Sequence, residues 1–400
     1  MGLVVQKYGG SSVRDAERVM NVAKRITDTY SRGNNVVVVV SAQGDTTDDL
    51  IAKAAEINDK PSKREMDVLL STGEQITISL LAMAIEKLGF PVISMTGWQA
   101  GFKTDSKHGM ARIHRIEGDR IRNELDKNRI VIVAGFQGLN KYDDITTLGR
   151  GGSDTSAVAL ACALHADVCE IYTDVDGVYT ADPRIVKEAY KLDDISYDEM
   201  LELASLGANV LHNRSVELAK KYGIKLAVKS SLNNNEGTFV KEVNKVEKML
   251  VRGVTRDNDC ARVSLCGVDD TPGIAFKVFS KLAAAGICVD LIIQSIGTEG
   301  KKDISFTVTE GDLDKAVKLF EESDSISFDE IKSRKDVSKV SIVGAGMVNN
   351  AGVASTMFEA LYNAHINIHM IATSEIKISV LVDQKDAENA VTAIHNKFML

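Results

Sequence analysis

Three segments rich in glycine and hydroxyl side chains carry the residue types that bind phosphate and carboxylate groups. They are residues 7–12 (Lys-Tyr-Gly-Gly-Ser-Ser), 149–156 (Gly-Arg-Gly-Gly-Ser-Asp-Thr-Ser) and 173–184 (Thr-Asp-Val-Asp-Gly-Val-Tyr-Thr-Ala-Asp-Pro-Arg). In the first segment, successive Gly and Ser residues let backbone N–H groups approach an anion, and Lys7 adds a charge suited to phosphate. Taken alone, this segment is equally well interpreted as a glycine-rich turn with a solvated lysine.

The other two segments also leave alternatives open. Arg150 has the planar guanidinium that holds a carboxylate through two hydrogen bonds. Asp154 either contributes charge to such a site or merely caps the helix that begins here. In the third segment the Asp-Gly and Asp-Pro pairs are typical of a plain loop. Three Asp, a Tyr and an Arg within twelve residues are nevertheless many polar groups for a simple connection.

Each of the three segments follows a predicted buried strand. Short β-branched runs at residues 3–6, 36–40, 91–94, 130–134, 168–173 and 225–228 alternate with helical patterns such as 14–30, 63–88 and 153–165. This alternation predicts an α/β domain with a mainly parallel sheet. Ligands in such sheets bind beyond the carboxyl ends of the strands, which is where the three segments lie.

The composition excludes several classes of protein. The 400 residues carry 48 basic and 56 acidic side chains, a net charge of −8, which argues against a nucleic-acid-binding surface. The five cysteines include no Cys-x-x-Cys pair and are interpreted as free thiols in a reducing cytoplasm. The strongest apolar run, residues 36–40, is far shorter than the ~20 residues of a membrane span. No P-loop or His-Glu-x-x-His pattern occurs, and no metal site built from protein side chains alone is predicted.

The C-terminal part contains an internal duplication. Residues 263–267, 273–279 and 287–292 match 340–344, 352–358 and 366–371 in order and spacing. Each copy predicts the βαββαβ order of a ferredoxin-like module. Copy one can end with a strand near 326–328, whereas copy two lacks a last strand, which we expect residues 249–254 to supply. The predicted domains are 1–245, 255–330, and an interleaved third domain made of 246–254 and 331–400.

These features together resemble the monofunctional aspartokinase family. The resemblance rests on residues 7–13, 71–74 (Ser-Thr-Gly-Glu), 149–154 and 173–184, and on the duplicated modules, which resemble paired ACT domains. It implies an amino-acid-kinase domain whose mainly parallel central sheet is sandwiched by helices, followed by two ferredoxin-like ACT modules. The implied reaction is transfer of the γ-phosphoryl group of ATP to the β-carboxylate of L-aspartate, with Mg²⁺ arriving with ATP.

The resemblance also assigns roles to individual residues. Lys7 is expected to neutralise the transferred phosphoryl group and Asp154 to orient Lys7. Arg150 is expected to bind a substrate carboxylate and Glu74 the substrate ammonium group. Further implied substrate contacts are Ser41, Ala42, Thr47, Phe136, Gly152 and Ser153. Implied ATP contacts are Lys7, Gly9, Gly10, Ser11, Ser12, Thr173, Asp174, Tyr179, Arg184 and Asn209. The family commonly has lysine where this chain has Asn209, which predicts weaker ATP binding or a shifted metal dependence.

The duplicated modules imply feedback inhibition by lysine, threonine or both. The implied effector contacts are Asp270, Gly273, Ala275, Asp290, Gln294, Ser295, Thr373 and Glu375. This chain has Gly297 and Ala372 where the family often has serine, so the identity of the effector stays open. Paired modules of this kind also imply a homodimer or larger homo-oligomer. Two alternatives are a related kinase acting on glutamate or acetylglutamate, and an inactive amino-acid sensor of the same fold.

Overall fold

The computed structural model describes residues 2–207, 210–242, 250–295, 297, 300–323, 325–345, 347, 350 and 352–399. The chain divides into two compact units. The first contains residues 1–178, 191–204 and 209–245, and the second contains residues 179–190, 205–208 and 246–400. Most of the first unit is the region of alternating strand and helix patterns, and most of the second is the C-terminal region that contains the duplication.

The first unit is built on an eight-stranded sheet in the order β10-β12-β11-β9-β1-β2-β6-β3. β11 and β12 form the one antiparallel pair among the described strands of this sheet, and β10 runs parallel to β12. The other six strands, β11 included, are all parallel, so that the sheet is mainly parallel as predicted. A smaller sheet has the order β5-β4-β7-β8. The strands of this unit are β1 (Leu3–Tyr8), β2 (Asn35–Val40), β3 (Val92–Met95), β4 (Phe102–Thr104), β5 (Ile113–Ile116), β6 (Ile130–Ala134), β7 (Gln137–Leu139), β8 (Ile145–Thr147), β9 (Val168–Thr173), β10 (Asp194–Ile195), β11 (Leu226–Ser230) and β12 (Thr238–Val240).

Helices pack against the large sheet because its central strands are apolar on both faces. All residues of β6 and all but the first of β2 are buried, since β-branched side chains fill both sides of the pleat. The apolar sides of α1 and α3 cover one face in a single core cluster with β2 and β6. The helices are α1 (Ala16–Ser31), α2 (Thr46–Ile57), α3 (Lys63–Lys87), α4 (Asp119–Leu125), α5 (Gly152–Leu164), α6 (Tyr197–Ser205) and α7 (Asn213–Tyr222).

Helix α3 is the one described helix long and apolar enough, by length and composition alone, to cross a membrane. Its side chains argue for a different role. Asp67, Ser71, Glu74 and Thr77 are all buried inside the unit, and its apolar residues join the sheet core. Because α3 buries polar and apolar side chains together, we interpret it as a core helix of this unit. The exposed side chains Ile76, Leu80 and Met83 account for much of its remaining apolar character.

The second unit contains two four-stranded antiparallel sheets, β15-β16-β14-β17 and β13-β18-β20-β19. Each has two helices and a core cluster of its own. These are the ferredoxin-like modules that the duplication predicts. The elements are β13 (Gly253–Asp257), β14 (Ala261–Asp269), α8 (Ile274–Ala284), β15 (Ile292–Gln294), β16 (Lys301–Val308), α9 (Leu313–Glu321), β17 (Glu330–Arg334), β18 (Val337–Val343), α10 (Val353–Asn363), β19 (Met370–Thr373), β20 (Lys377–Asp383) and α11 (Ala387–Met399).

One strand of module two comes from the part of the chain that precedes module one. β13 precedes module one in the chain but pairs with β18 of module two, with Gly253 opposite Val343 and Asp257 opposite Lys339. The strand begins later than the expected 249–254. The last strand of module one also lies later than expected, at β17 rather than at 326–328. Ile326 is buried in the core of module one without being in a strand. The domain boundaries themselves stay a prediction.

Residues 179–190 pack within the second unit rather than with the strand that precedes them. Ala181 and Val186 belong to the core of module two. Thr180 accepts a backbone hydrogen bond from Val254 at 2.8 Å, and its Oγ1 lies 2.9 Å from Nε2 of the buried His395. The third chemistry-bearing segment of the sequence is therefore divided, with residues 173–178 in the first unit and 179–184 in the second.

Candidate active site

A cavity of about 270 Å³ lies at the carboxyl ends of β1 and β2. It collects residues from five separate parts of the chain. Its lining consists of Lys7, Gly9, Gly10, Ser41, Ala42, Thr47, Glu74, Phe136, Gly149, Arg150, Gly151, Gly152, Ser153 and Asp154. A larger depression of about 420 Å³ elsewhere in this unit is lined by residues outside the sequence motifs, namely Lys191, Asp193, Asn234, Asn235, Glu236, Gly237 and Phe239. We therefore assign the chemistry to the smaller cavity.

An ion pair between Lys7 and Asp154 lies at the wall of this cavity. Lys7 Nζ is 2.6 Å from Asp154 Oδ1, and the two side chains are only 12% and 14% exposed. Lys7 is near the end of β1, and Asp154 is in the first turn of α5, where the helix dipole favours a negative charge. Because the pair is shielded from solvent, Asp154 fixes the direction of the lysine side chain more firmly than a surface pair would.

Close backbone approach assembles the floor of the cavity. A Cβ atom at Gly10 would lie 2.7 Å from the carbonyl oxygen of Ala42, and one at Gly73 would lie 2.8 Å from the Ala42 Cβ. Glycine is therefore required at both positions for the ends of β1 and β2 to meet α3. This packing brings Glu74, one residue after Gly73, into the cavity wall.

Glu74 is a buried carboxyl group with one unused oxygen. Its Oε1 accepts a hydrogen bond from the Ala42 backbone N–H at 3.1 Å. Its Oε2 is buried and has no hydrogen-bond partner among the described residues. Burial raises the pKa of Glu74 to about 8, partly opposed by the backbone hydrogen bonds to it. The site thus contains an acceptor oxygen that a ligand cation would satisfy.

The start of α5 provides the opposite, positively charged wall. Gly151 is the N-cap of α5, with a φ of +68° and no side-chain hydrogen bond to the helix. Arg150, the residue before it, lines the cavity. Phe136 also adopts the left-handed region, with φ +70°, and its ring lies where a Cβ atom at Gly152 would be 2.8 Å away. A non-glycine residue in this conformation is strained, and such strain is concentrated at functional sites.

Comparison with known proteins explains this arrangement. The model of the amino acid kinase family matches residues 2–230, and that of the ACT domain matches 263–323 and 340–398. The chain is 50% identical over 402 residues to the aspartokinase of Bacillus sp. (strain MGA3), covering 100% of this chain and 98% of that one. The chain belongs to the aspartokinase family. An aspartokinase transfers a phosphoryl group from ATP to the β-carboxylate of L-aspartate, so that this chain is a phosphotransferase with a carboxyl acceptor.

Solved aspartokinase structures have the same fold. The structure of E. coli aspartokinase III in complex with aspartate and ADP, its R state, is 26% identical and has a TM-score of 0.83. The T-state structure of the same enzyme with lysine and aspartate is 26% identical and has a TM-score of 0.77. Each comparison covers 100% of both chains. The predicted fold class and family are thereby confirmed.

The remaining aspartokinase motif residues of the first unit lie next to the cavity rather than in its lining. β9 pairs with β1, and the Gly9 N–H donates a hydrogen bond to the Tyr172 carbonyl at 3.4 Å. Thr173, the next residue of the chain, therefore lies beside the glycine-rich segment 7–12. Thr173 Oγ1 donates to Asp174 Oδ1 at 3.0 Å. Ser12 Oγ donates to Ser231 Oγ at 2.8 Å. The Ser11 carbonyl accepts from Arg18.

Three residues predicted to contact ATP are not among the described residues of the first unit that lie at this cavity. Tyr179 and Arg184 belong to the second unit, where Arg184 forms an exposed ion pair with Asp182 at 2.7 Å. Asn209 lies outside the described residues. The sequence assignments of these three residues therefore stay predictions.

The predicted effector residues occupy both modules of the second unit. Asp270 pairs with Lys302 at 2.7 Å, and Asp290 pairs with the buried Lys339. In module one, Gly273 opens α8 with a φ of +89° and Ala275 follows in its first turn. Gln294 ends β15, and Ser295 Oγ accepts from the Asp303 N–H at 2.9 Å. In module two, Thr373 ends β19, and Glu375 is exposed in the turn before β20.

Sequence reasoning missed part of the site. Gly149 and Gly151 line the cavity but were given no binding role. His212, which none of the sequence motifs includes, precedes α7 as its N-cap. The only signal available was its position in a Leu-His-Asn-Arg run shortly before a helical pattern.

Proposed function

We propose that the Lys7–Asp154 pair, Arg150 and Glu74 form the site at which the β-carboxylate of L-aspartate receives the γ-phosphoryl group of ATP. The observation that supports this most strongly is the shielded lysine–carboxylate pair between a glycine-rich loop and a helix start. It combines a fixed positive charge with backbone donors, which is the combination that phosphoryl transfer requires.

The proposed reaction needs no general base. A substrate carboxylate is already ionised near pH 7 because its pKa is ordinarily about 4. One of its oxygens attacks the γ-phosphorus, the bond to the β–γ bridging oxygen breaks, and ADP leaves with that electron pair. Catalysis then consists of positioning and charge neutralisation. Lys7 neutralises the charge on the transferred group, and Asp154 keeps the Lys7 ammonium directed at it.

The two other charged walls select the substrate. Arg150 binds the α-carboxylate, and Glu74 receives the α-ammonium group through its unused Oε2. Ser41, Ala42, Thr47, Phe136, Gly152 and Ser153 complete the contact surface. A cavity of about 270 Å³ closed by charges at fixed positions favours a short acidic amino acid over one lengthened by a methylene group. This difference distinguishes aspartate from glutamate.

The nucleotide is proposed to lie along the ends of β1 and β9. Gly9, Gly10, Ser11 and Ser12 offer donors to its phosphates, and Thr173 and Asp174 supply further contacts. Tyr179 and Arg184 are proposed as ATP contacts from the family resemblance alone. Mg²⁺ ordinarily binds phosphate oxygens, water and one or two carboxylates. Asp154 lines the cavity beside Lys7 and fits that donor set as one such carboxylate. The ion would neutralise phosphate charge as it arrives with ATP.

A hydroxylamine trap tests this function directly. With ATP, Mg²⁺ and L-aspartate the protein is expected to form an acyl phosphate that hydroxylamine converts to a hydroxamate. L-Glutamate at the same concentration is expected to give none, because the cavity fixes the distance between the charged walls. Absence of hydroxamate at saturating aspartate would instead favour the amino-acid sensor, and equal yields from both amino acids would favour a kinase of broader specificity.

Asn209 is proposed to weaken the hold on the nucleotide phosphates, since the family commonly has lysine there. Asn209→Lys is expected to lower the KM for ATP about tenfold, the effect of one added charge-assisted hydrogen bond to phosphate. Steady-state kinetics at several Mg²⁺ concentrations measure this change, with aspartate saturating. An unchanged KM for ATP at every Mg²⁺ concentration would contradict the assignment.

Regulation and assembly are proposed on the same basis. E. coli aspartokinase III has been solved with lysine, and we propose that lysine, threonine or both bind Asp270, Gly273, Ala275, Asp290, Gln294, Ser295, Thr373 and Glu375 in this chain. The chain is proposed to be a cytoplasmic homodimer or larger homo-oligomer that pairs through its ACT modules. Initial rates with each amino acid alone and with both together should show inhibition. Unchanged rates in all three conditions would rule out this regulation.

A further inference from the structure

The backbone behind Arg150 is held by a side chain that none of the sequence motifs includes. Arg214, in the first turn of α7, is partly buried. Its Nη1 donates to the carbonyl oxygen of Leu148 at 2.7 Å, and its Nη2 donates to the carbonyl oxygen of Ala111 at 3.1 Å. One guanidinium therefore joins two loops, and the first of them leads directly into Gly149 and Arg150. Bidentate contacts of this kind fix orientation as well as distance.

His212 packs against the same loop at Gly151, three residues after Leu148. A Cβ atom at Gly151 would lie 2.2 Å from Cγ and 2.3 Å from Cδ2 of the His212 ring, so that the imidazole lies directly against the glycine backbone. The left-handed φ of +68° at Gly151 is the conformation that starts α5. The ring thus occupies the space into which this turn would otherwise relax.

The orientation of the His212 ring is fixed by its own helix. Its Nδ1 accepts the N–H of Arg214 at 3.4 Å and thereby caps α7. An Nδ1 that accepts a hydrogen bond carries no proton, so the neutral ring bears its proton on Nε2. Burial lowers the pKa of His212, although the nearby Asp154 and Glu217 carboxylates act in the opposite direction. The imidazole is therefore neutral at pH 7 and packs without adding a charge beside Arg150.

We propose that His212 and Arg214 are positioning residues that hold residues 148–152 so that Arg150 and the start of α5 face the substrate. We call the two residues the loop clamp. This inference rests on the proposed function, because it assumes that Arg150 binds the aspartate carboxylate. Neither residue lines the cavity, so both act through the loop. The clamp should therefore affect the KM for aspartate far more than the KM for ATP.

Removal of the guanidinium tests the first half of the clamp. Arg214→Ala is expected to raise the KM for aspartate about 30-fold, from the loss of two hydrogen bonds to a charged donor, while the KM for ATP stays within about twofold. Guanidinium chloride at a non-denaturing concentration should restore a large part of the loss. Tetramethylammonium chloride at equal ionic strength should not, because it has no N–H donors. Arg120→Ala, at an exposed arginine on α4, is the control.

A double-mutant cycle tests the second half. Gly151→Ala alone is expected to lower kcat/KM for aspartate about 100-fold, because its Cβ collides with the ring and alanine is strained at a left-handed φ. In a His212→Asn background, which keeps a helix-capping residue but removes the ring, the same change should cost only about tenfold. Equal costs in the two backgrounds would overturn the packing role.

The KM values and the guanidinium rescue decide together whether Arg214 has a positioning role. If Arg214→Ala raises the KM for aspartate and for ATP equally and guanidinium does not rescue it, the positioning role of Arg214 is wrong. If that variant does not fold, Arg214→Lys replaces it, and an unchanged KM for aspartate would equally refute the role. Failure of the proposed function appears separately, since the unsubstituted protein would then give no aspartate hydroxamate. The loop clamp is tested by the KM and kcat/KM values of each variant divided by those of the unsubstituted protein.

Discussion

Replacement of Lys7 by methionine is expected to lower kcat by about 10³-fold, the loss seen when one preorganised charge is removed from a developing anion. Methionine keeps the length and packing of the side chain but removes its ammonium group. Lys7 is paired and shielded beside Asp154, and the other cationic side chain that lines the cavity, Arg150, is assigned to the substrate α-carboxylate. The KM for aspartate should change little, since Arg150 and Glu74 remain. Hydroxamate formation at saturating substrates measures the effect.

Lys24→Met is the matched control for this prediction. Lys24 is exposed on α1, away from the cavity, and its replacement should leave kcat within about twofold, as for most surface substitutions. A Lys7→Met variant with more than about a tenth of normal kcat would contradict the assigned role, because a group that neutralises transition-state charge contributes far more than that.

The pH dependence of aspartate binding follows from Glu74. Burial raises the pKa of this carboxyl to about 8, so that at pH 6 to 7 the free enzyme holds it mainly in the neutral form. Only the carboxylate attracts the substrate ammonium group. We therefore expect kcat/KM for aspartate to rise about tenfold per pH unit below pH 8 and to level off above it. The slope should be absent from kcat, because bound ammonium keeps Glu74 ionised.

Glu74→Gln should remove this pH dependence and raise the KM for aspartate about 100-fold, the cost of losing a hydrogen bond between charged groups. The same substitution should stabilise the free protein at pH 8. Since the folded state raises the Glu74 pKa above its value of 4.5 in the unfolded chain, the folded state loses stability as the pH rises from about 4.5 to about 8. Thermal unfolding at pH 5 and pH 8 measures this effect.

Glu86→Gln, an exposed substitution further along α3, is the control for Glu74→Gln in both measurements. It should leave the KM for aspartate and the pH dependence of unfolding unchanged. A Glu74→Gln variant that binds aspartate normally would show that Glu74 does not receive the ammonium group. A variant that is equally stable relative to the parent protein at both pH values would contradict the raised pKa of Glu74.

The parts of the fold that sequence patterns predicted are those with a strong local cause. β2 and β6 are runs of β-branched and other apolar residues that only a doubly covered strand accommodates, and β6 has the predicted bounds. The first and third motifs follow β1 and β9 as predicted, and parallel sheets bring such strand ends together. The second follows β8, a short strand of the smaller sheet that the sequence patterns did not predict. Lys7, Glu74 and Arg150 thus meet at one cavity although far apart in the chain.

The parts that were missed depend on tertiary contacts. β17 has a largely exposed, polar sequence, Glu-Ile-Lys-Ser-Arg, which gives no alternation of apolar and polar residues. Its strand conformation comes from pairing with β14. The buried Ile326 looks like a strand residue in sequence but packs from a loop. Likewise, the roles of His212 and Arg214 come from loops that lie far from them in the chain.

A crystal structure with L-aspartate, ADP and Mg²⁺ tests the central claim most directly. The account predicts the aspartate α-ammonium within about 3.2 Å of Glu74 Oε2, its α-carboxylate on the Arg150 guanidinium, and its β-carboxylate directed at Lys7. Aspartate bound in the cavity with its ammonium group away from Glu74 would contradict the assigned substrate contacts. Aspartate bound only outside the cavity would contradict the account as a whole.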